Sequence, residues 1–231
     1  MDLSTGSIST ASPMSCPRWL AGVTVNVDCI LVFGGCLERE VLSSCEEYDS
    51  FTDSWSKLPD MPTARQACGA IHIPTLGELV LGGWVRGTKL STAELLRAVN
   101  MGNAGVRTWE KIAPMNTPRY FPSAVYFNRS IFVVSIDDRS IEVLSLPNNY
   151  PEQWTLLSGC TTPSDRPFSM CVFNGRILLA GEFKSCAAEH HLHPYLLFPY
   201  HYADDPEDKS DDEVFLLKMS PANNVSLRDW V

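Results

Sequence analysis

The chain has no apolar run approaching the ~18 residues that a membrane-spanning helix needs. Its N-terminus lacks the charged and then apolar pattern of a secretory leader. Nor is there a surplus of basic charge: 231 residues carry a net charge of −9. Phosphate backbones are held by lysine and arginine, so nucleic acid is excluded as the expected partner. Chemical motifs are missing as well. There is no GxSxG, no HExxH, no phosphate-cradling glycine loop and no Cys/His dyad at a recognisable spacing. The eight cysteines are scattered without a CxxC pair, and with no secretory leader they read as free thiols. These absences lead to the expectation of a soluble, cytoplasmic protein that is not an enzyme and holds no cofactor.

Helical periodicity is also nearly absent, and in its place stands a repeat. Ile30-Leu31-Val32-Phe33-Gly34-Gly35 is an apolar run closed by two glycines. It returns as Glu78-Leu79-Val80-Leu81-Gly82-Gly83, then degraded as Ile131-Phe132-Val133-Val134-Ser135-Ile136, then as Ile177-Leu178-Leu179-Ala180-Gly181. An arginine precedes each run: Arg18, Arg65, Arg119 and Arg166, spaced 47, 54 and 47 residues apart. A glutamate follows (Glu46, Glu94, Glu142, Glu213), and a tryptophan closes the unit (Trp55, Trp109, Trp154, Trp230). Helical repeats run at roughly 33–34 residues, well short of this period.

Each unit offers four short β-rich segments separated by Gly, Pro, Asn and Asp turns. In the first they are about 22–26, 30–33, 46–48 and 54–58. A four-stranded sheet cannot bury both faces alone, so successive sheets must stack, and radial stacking makes a β-propeller. The fold expected is therefore all-β. An extended loop is expected over 99–106.

Phe33-Gly34-Gly35, Glu46-Glu47-Tyr48-Asp49, Trp55, Leu58, Met61 and Arg65 resemble the kelch repeat almost position for position. Gly82, Gly83, Trp109, Met115 and Arg119 continue the resemblance, which covers about residues 16–231. It implies a kelch-type propeller with four recognisable blades, at about 16–64, 65–118, 119–165 and 166–231. Residues 1–15, mostly Ser, Thr, Ala and Gly, read as a disordered tail. Four blades sit at the low limit for a closed ring, so a partial or truncated propeller is expected.

The fourth unit breaks the rhythm. From Gly35 to Glu46 and from Gly83 to Glu94 the distance is 11 residues, but from Gly181 to Glu213 it is 32. The insert at 185–212 holds His190, His191, His193 and His201, then an acidic run from Asp204. Neither half has metal-ligand spacing, so no metal is expected.

Arginines and glutamates recurring once per blade argue architecture rather than catalysis. The resemblance instead implies protein binding across one mouth of the propeller, through residues just after each arginine and just after each glycine pair. Carried over, these are Trp19, Gln66, Tyr120, Cys36, Trp84 and Glu182, with Arg86 in the loop that follows. Trp, Tyr and Arg dominate interface energies. The family implies two kinds of partner: a substrate of a cullin-RING ubiquitin ligase, in the manner of BTB-kelch adaptors, or actin. No BTB region is visible in these 231 residues, and the 15-residue tail is too short for one.

Overall fold

The computed structural model describes residues 10–26, 29–101, 104–136, 138–146, 153–161, 168–173, 175–182 and 212–217. Among them every regular element is a strand, and there is no helix. Blade 1 contains β1 (Gly22–Asn26), β2 (Cys29–Phe33), β3 (Cys36–Leu37), β4 (Glu40–Val41), β5 (Cys45–Asp49) and β6 (Ser54–Leu58). The sheet order is β1-β2-β5-β6, and β3 with β4 forms a separate small hairpin in the β2–β5 connection. Blade 2 repeats the plan with β7 (Gly69–Ile73), β8 (Gly77–Leu81), β9 (Trp84–Val85), β10 (Thr88–Lys89), β11 (Ala93–Met101) and β12 (Ala104–Ile112). Its sheet runs β7-β8-β11-β12, with β9–β10 as the side hairpin.

Blade 3 is β13 (Ser123–Phe127), β14 (Ser130–Ser135), β15 (Asp138–Ser145) and β16 (Trp154–Thr161) in chain order. Among the described residues, blade 4 holds three strands, β17 (Phe168–Phe173), β18 (Arg176–Glu182) and β19 (Asp212–Leu217). All ladders are antiparallel. Strand β1 lies beside β7, β7 beside β13, and β13 beside β17. The first strand of each sheet is therefore the innermost, and the sheets fan out from it. These are the blades of a kelch-type propeller.

Alternation along the strands gives each blade two apolar faces. The trailing face of blade 1 (Leu31, Phe33, Cys45, Leu58) meets the leading face of blade 2 (Val80, Leu96) in one core. Blade 2 in turn presents Ile71, Ile73, Leu79 and Leu81 to Ile131, Val133, Leu144 and Trp154 of blade 3. Blade 3 then presents Val125, Phe132 and Val134 to Met170, Ile177 and Leu179 of blade 4. The first two wedges are also stitched by an indole. Trp109 Nε1 donates to the Pro59 carbonyl at 2.8 Å, and Trp154 Nε1 to that of Ala113 at 2.9 Å.

Two readings of the sequence change here. The loop expected over 99–106 is mostly strand: β11 and β12 pair from Ala93↔Ile112 out to Met101↔Ala104. Arg97 ties to Glu110 across this ladder at 2.6 Å, and Arg107 reaches Glu47 of blade 1 at 2.7 Å. Asn100 and Gly105, which helped to suggest a loop, pair with each other across this ladder. The second change concerns the expected tail. Ser12 N and Oγ donate to Asp53, and the Trp55 indole donates to the Ser12 carbonyl. The Ser15 hydroxyl donates to Glu46. Residues 12–15 thus take the place that the linkers after blades 1 and 2 take for Trp109 and Trp154. The insert lies outside the described residues except for Asp212, the first residue of β19. Arg166, Trp230 and the histidine cluster lie outside them too.

Candidate functional site

The mouth is built on the repeat arginines. The Arg18, Arg65 and Arg119 side chains are buried, and each pairs with the glutamate of its own blade, Glu46, Glu94 and Glu142. Their remaining donors go to backbone carbonyls and to the hydroxyls of Thr92, Ser135 and Ser140. Arg18 Nη1 donates to the carbonyls of Gly34 and Ser44, and Arg65 Nη1 to those of Gly82 and Thr92. Three hydroxyls complete the carboxylates: Ser15 on Glu46, Thr63 on Glu94 and Thr117 on Glu142. Burial alone would raise the Glu142 carboxyl. Hydrogen bonds from Thr117, Asn116 and Arg119, with the Arg119 charge, hold it below the usual carboxylate range. Glu46 is held low in the same way, against burial, by Ser15 and Arg18. A guanidinium spent on one carboxylate and two carbonyls has little left for a ligand, so the architectural reading of both residue types stands.

The glycine pair locks neighbouring blades at this level. Gly34 and Gly35 have φ of 59° and 93°, and the Gly35 amide donates to the Arg65 carbonyl at 2.9 Å. A Cβ on Gly34 would lie 2.3 Å from that same carbonyl oxygen, and one on Gly35 would lie 2.7 Å from the Trp19 carbonyl oxygen. Only glycine admits both approaches. The interaction recurs one blade on, where the Gly83 amide donates to the Arg119 carbonyl at 2.8 Å.

The residue two after each arginine is left-handed without being glycine: Leu20 (φ 55°), Ala67 (49°) and Phe121 (47°). These residues are linked from blade to blade. The Ala67 amide donates to the Leu20 carbonyl at 2.7 Å, and the Phe121 amide to the Ala67 carbonyl at 3.1 Å. Three recurrences at one position mark an imposed conformation, sustained by the surrounding bonds. The kink it makes sets the residue just before it, the one expected to bind, across from the hairpin.

The structure brings the sequence-derived residues together in pairs. Trp19 bridges Cys36, and Gln66 bridges Trp84, each through two backbone hydrogen bonds of 2.8–3.1 Å. The rings of Trp84 and Tyr120, from adjacent blades, have centroids 5.6 Å apart, and Tyr120 meets Phe121 edge-on at 4.4 Å. Trp84 and Tyr120 are half-buried; Phe121 is 37% exposed and Trp19 56% exposed. Arg86 is exposed at the tip of the β9–β10 hairpin, where Arg86 and Gly87 have φ of 45° and 85°, a tight turn linking the two strands. Gln66 is half-buried beneath Trp84.

Cys36 is a correction to the expected set. Its side chain is 2% exposed, so the thiol does not face the mouth, and only its backbone takes part there. Its amide and carbonyl are both taken by the bridge to Trp19, and the small thiol is packed within the blade while the larger indole remains 56% exposed. Glu182 ends β18 opposite Asp212, on a part of the blade whose side chains lie outside those described. Phe121 was missed: its only sequence signal was an aromatic directly following the candidate Tyr120.

Comparison with known proteins agrees with this geometry. Residues 18–62, from the first repeat arginine to the end of blade 1, match the kelch motif. The chain is 30% identical over 143 residues to an F-box/kelch-repeat protein of Arabidopsis thaliana, covering 58% of this chain and 35% of the relative. A second F-box/kelch-repeat protein of that plant is 27% identical over 118 residues, 51% of this chain and 28% of the relative. A third is 33% identical over 70 residues, 30% of this chain and 16% of the relative. The matches span about a third or less of those proteins' lengths. Together they support a relationship to kelch-repeat proteins.

Proposed function

We propose that the chain is a substrate-recognition module that binds a protein or peptide across the mouth, through Trp19, Trp84, Arg86, Gln66, Tyr120 and Glu182, with Phe121 added. The observation that carries this reading is the Trp84–Tyr120–Phe121 cluster, where two blades offer aromatic faces beside an exposed arginine. Rigid aromatic anchors next to arginine are the residues from which interfaces draw most of their energy. The repeat arginines and glutamates are paired within the blades, so these aromatics and Arg86 are what the mouth offers a partner.

The module presents substrate to a cullin-RING ubiquitin ligase in the cytoplasm, with the ligase recruited through a region other than these blades. The F-box in the names of the similar plant proteins favours this over an actin-binding role. The test is immobilised chain probed with purified cullin-RING complex and with its captured substrate, beside co-sedimentation with actin filaments. Trp84→Ala should weaken substrate capture by about 30-fold or more, the equivalent of ~2 kcal/mol, while leaving the unfolding midpoint in place. Unchanged capture by Trp84→Ala would refute the mouth assignment. Filament binding without cullin-RING association would replace the ligase role by the cytoskeletal one.

A further inference from the structure

One cross-strand pair of the repeat changes character in blade 2. The two inner strands set Val25 against Ile30 in blade 1, Tyr126 against Ile131 in blade 3 and Val172 against Ile177 in blade 4. At the same register blade 2 sets His72 against Glu78. The side chains meet, with His72 Nδ1 and Glu78 Oε1 2.7 Å apart. Glu78 is 4% exposed, and its Oε2 has no hydrogen-bond partner among the described residues. An ionisable pair thus stands where its counterparts place an aliphatic or aromatic side chain on isoleucine, and one carboxyl oxygen is left unmet.

Directly opposed residues share a face, so His72 and Glu78 lie with Val80 on the leading face of blade 2 and meet blade 1. There Thr24 of β1 is buried, and its hydroxyl helps to hold a charge on Glu78. The other polar groups on that side are half-buried Cys29 of β2 with Glu47 and Asp49 of β5. Burial, then Glu47 and Asp49, push the Cys29 thiol up, so it stays uncharged. Asp49 accepts the amides of Phe51 and Thr52 at its own turn. Arg107 of β12 also bears on Glu78, but its guanidinium is spent on Glu47 at 2.7 Å.

We propose that His72 and Glu78 form a proton-operated latch between blades 1 and 2, which grips when the pair shares a proton and slackens when Glu78 is charged. A proton on Glu78 Oε1 is donated to Nδ1 of the neutral imidazole, and the wedge then holds an uncharged hydrogen bond. Its loss to solvent leaves a carboxylate in an apolar wedge with Oε2 unmet, which is costly. Burial accordingly raises the Glu78 carboxyl, against His72, Thr24 and Arg107, which act to lower it. Glu46 and Glu142 go the other way, because there the partners outweigh burial. With the folded value raised, the latch's contribution is complete below the unfolded glutamate pKa of about 4.3 and is lost as pH rises through the folded value. The same wedge carries the Gly35–Arg65 and Ala67–Leu20 hydrogen bonds at the mouth, so the latch joins the two blades that present Trp19 and Trp84.

Urea unfolding of the full chain from about pH 4 to about pH 8 tests this, with wild type beside Glu78→Gln. Glutamine keeps the shape without the charge, so the variant's advantage should be smallest at the acid end and widen as pH rises. In a His72→Val background the same gap should grow larger and level off at a higher pH, because His72 helps to hold the charge. His72→Val with Glu78→Ile, the pair of blade 1, is a second uncharged reference should the glutamine variant fold poorly. Hydrogen exchange, compared at equal pH, locates the effect. Amides of β1 and β7 should exchange at least about threefold faster in wild type than in Glu78→Gln at the alkaline end and alike at the acid end, with β13 and β17 unchanged. A gap that is constant with pH, or that widens on acidification, overturns the proposal. So does an exchange difference spread equally over β13 and β17, which would make the charge a burden on the whole fold and not on this wedge.

Discussion

At the residue scale the molecule depends on three buried arginine–glutamate pairs repeated with the period of the fold. Removing one partner of a buried pair leaves an uncompensated charge, a loss of about 3–5 kcal/mol. Glu142→Gln should therefore lower stability by about that amount at pH 7, measured by urea unfolding. The folded Glu142 carboxyl titrates below its ordinary range, so its contribution is complete above the usual glutamate pKa of about 4.3 and drains away as pH falls through the depressed folded value. The gap between wild type and Glu142→Gln should consequently narrow toward pH 3, and a gap that widens on acidification would contradict the pairing described. The arginines, glutamates and glycine pairs were all legible as periodic letters. Their hydroxyl partners Ser15, Thr63 and Thr117 were not, because Ser and Thr are common in linkers and nothing in the spacing marks them. The left-handed Leu20, Ala67 and Phe121 were equally hidden, since each is a residue type that seldom adopts that conformation.

At the element scale the four-strand rhythm of the first unit could be read almost to the residue, because turn residues punctuate strands of regular length. The small hairpins β3–β4 and β9–β10 could not, being two-residue strands without an alternating pattern. The β11–β12 extension was concealed by its Asn and Gly content. The closing tryptophans look equivalent in sequence, yet their surroundings differ. Trp154 is 3% exposed between blades 2 and 3, whereas Trp55 is half-buried on the leading face of blade 1. Trp154→Ala should cost about 3–5 kcal/mol, and Trp55→Ala distinctly less, by the same urea measurement. Equal losses would mean that blade 1 is covered as fully as blade 3. The binding set was partly legible for a related reason. The positions after each arginine and glycine pair could be named, but how far each side chain is buried is settled by packing, which leaves Trp19 56% exposed and Cys36 2%.

At the scale of the whole molecule, each blade touches only its neighbours, which makes stability a sum of blade terms and wedge terms. Blade 2 is covered on both faces by described neighbours. Backbone amides of β8 and β11 should exchange with solvent last, and those of β1 and β19 early, read by hydrogen-exchange mass spectrometry. Uniform protection across all four sheets would argue for one indivisible unit instead.

The glycine amide that reaches forward to the next arginine carbonyl has one more consequence. A buried donor in one vane finds its acceptor only when the following vane is seated, so the repeats are interchangeable as text but not as parts. Excising the second repeat cleanly at its boundaries would strand the Gly35 donor unless the loop that takes over the junction supplies a carbonyl at the same point. The join between one repeat and its successor is thus a shared structure that neither repeat completes alone.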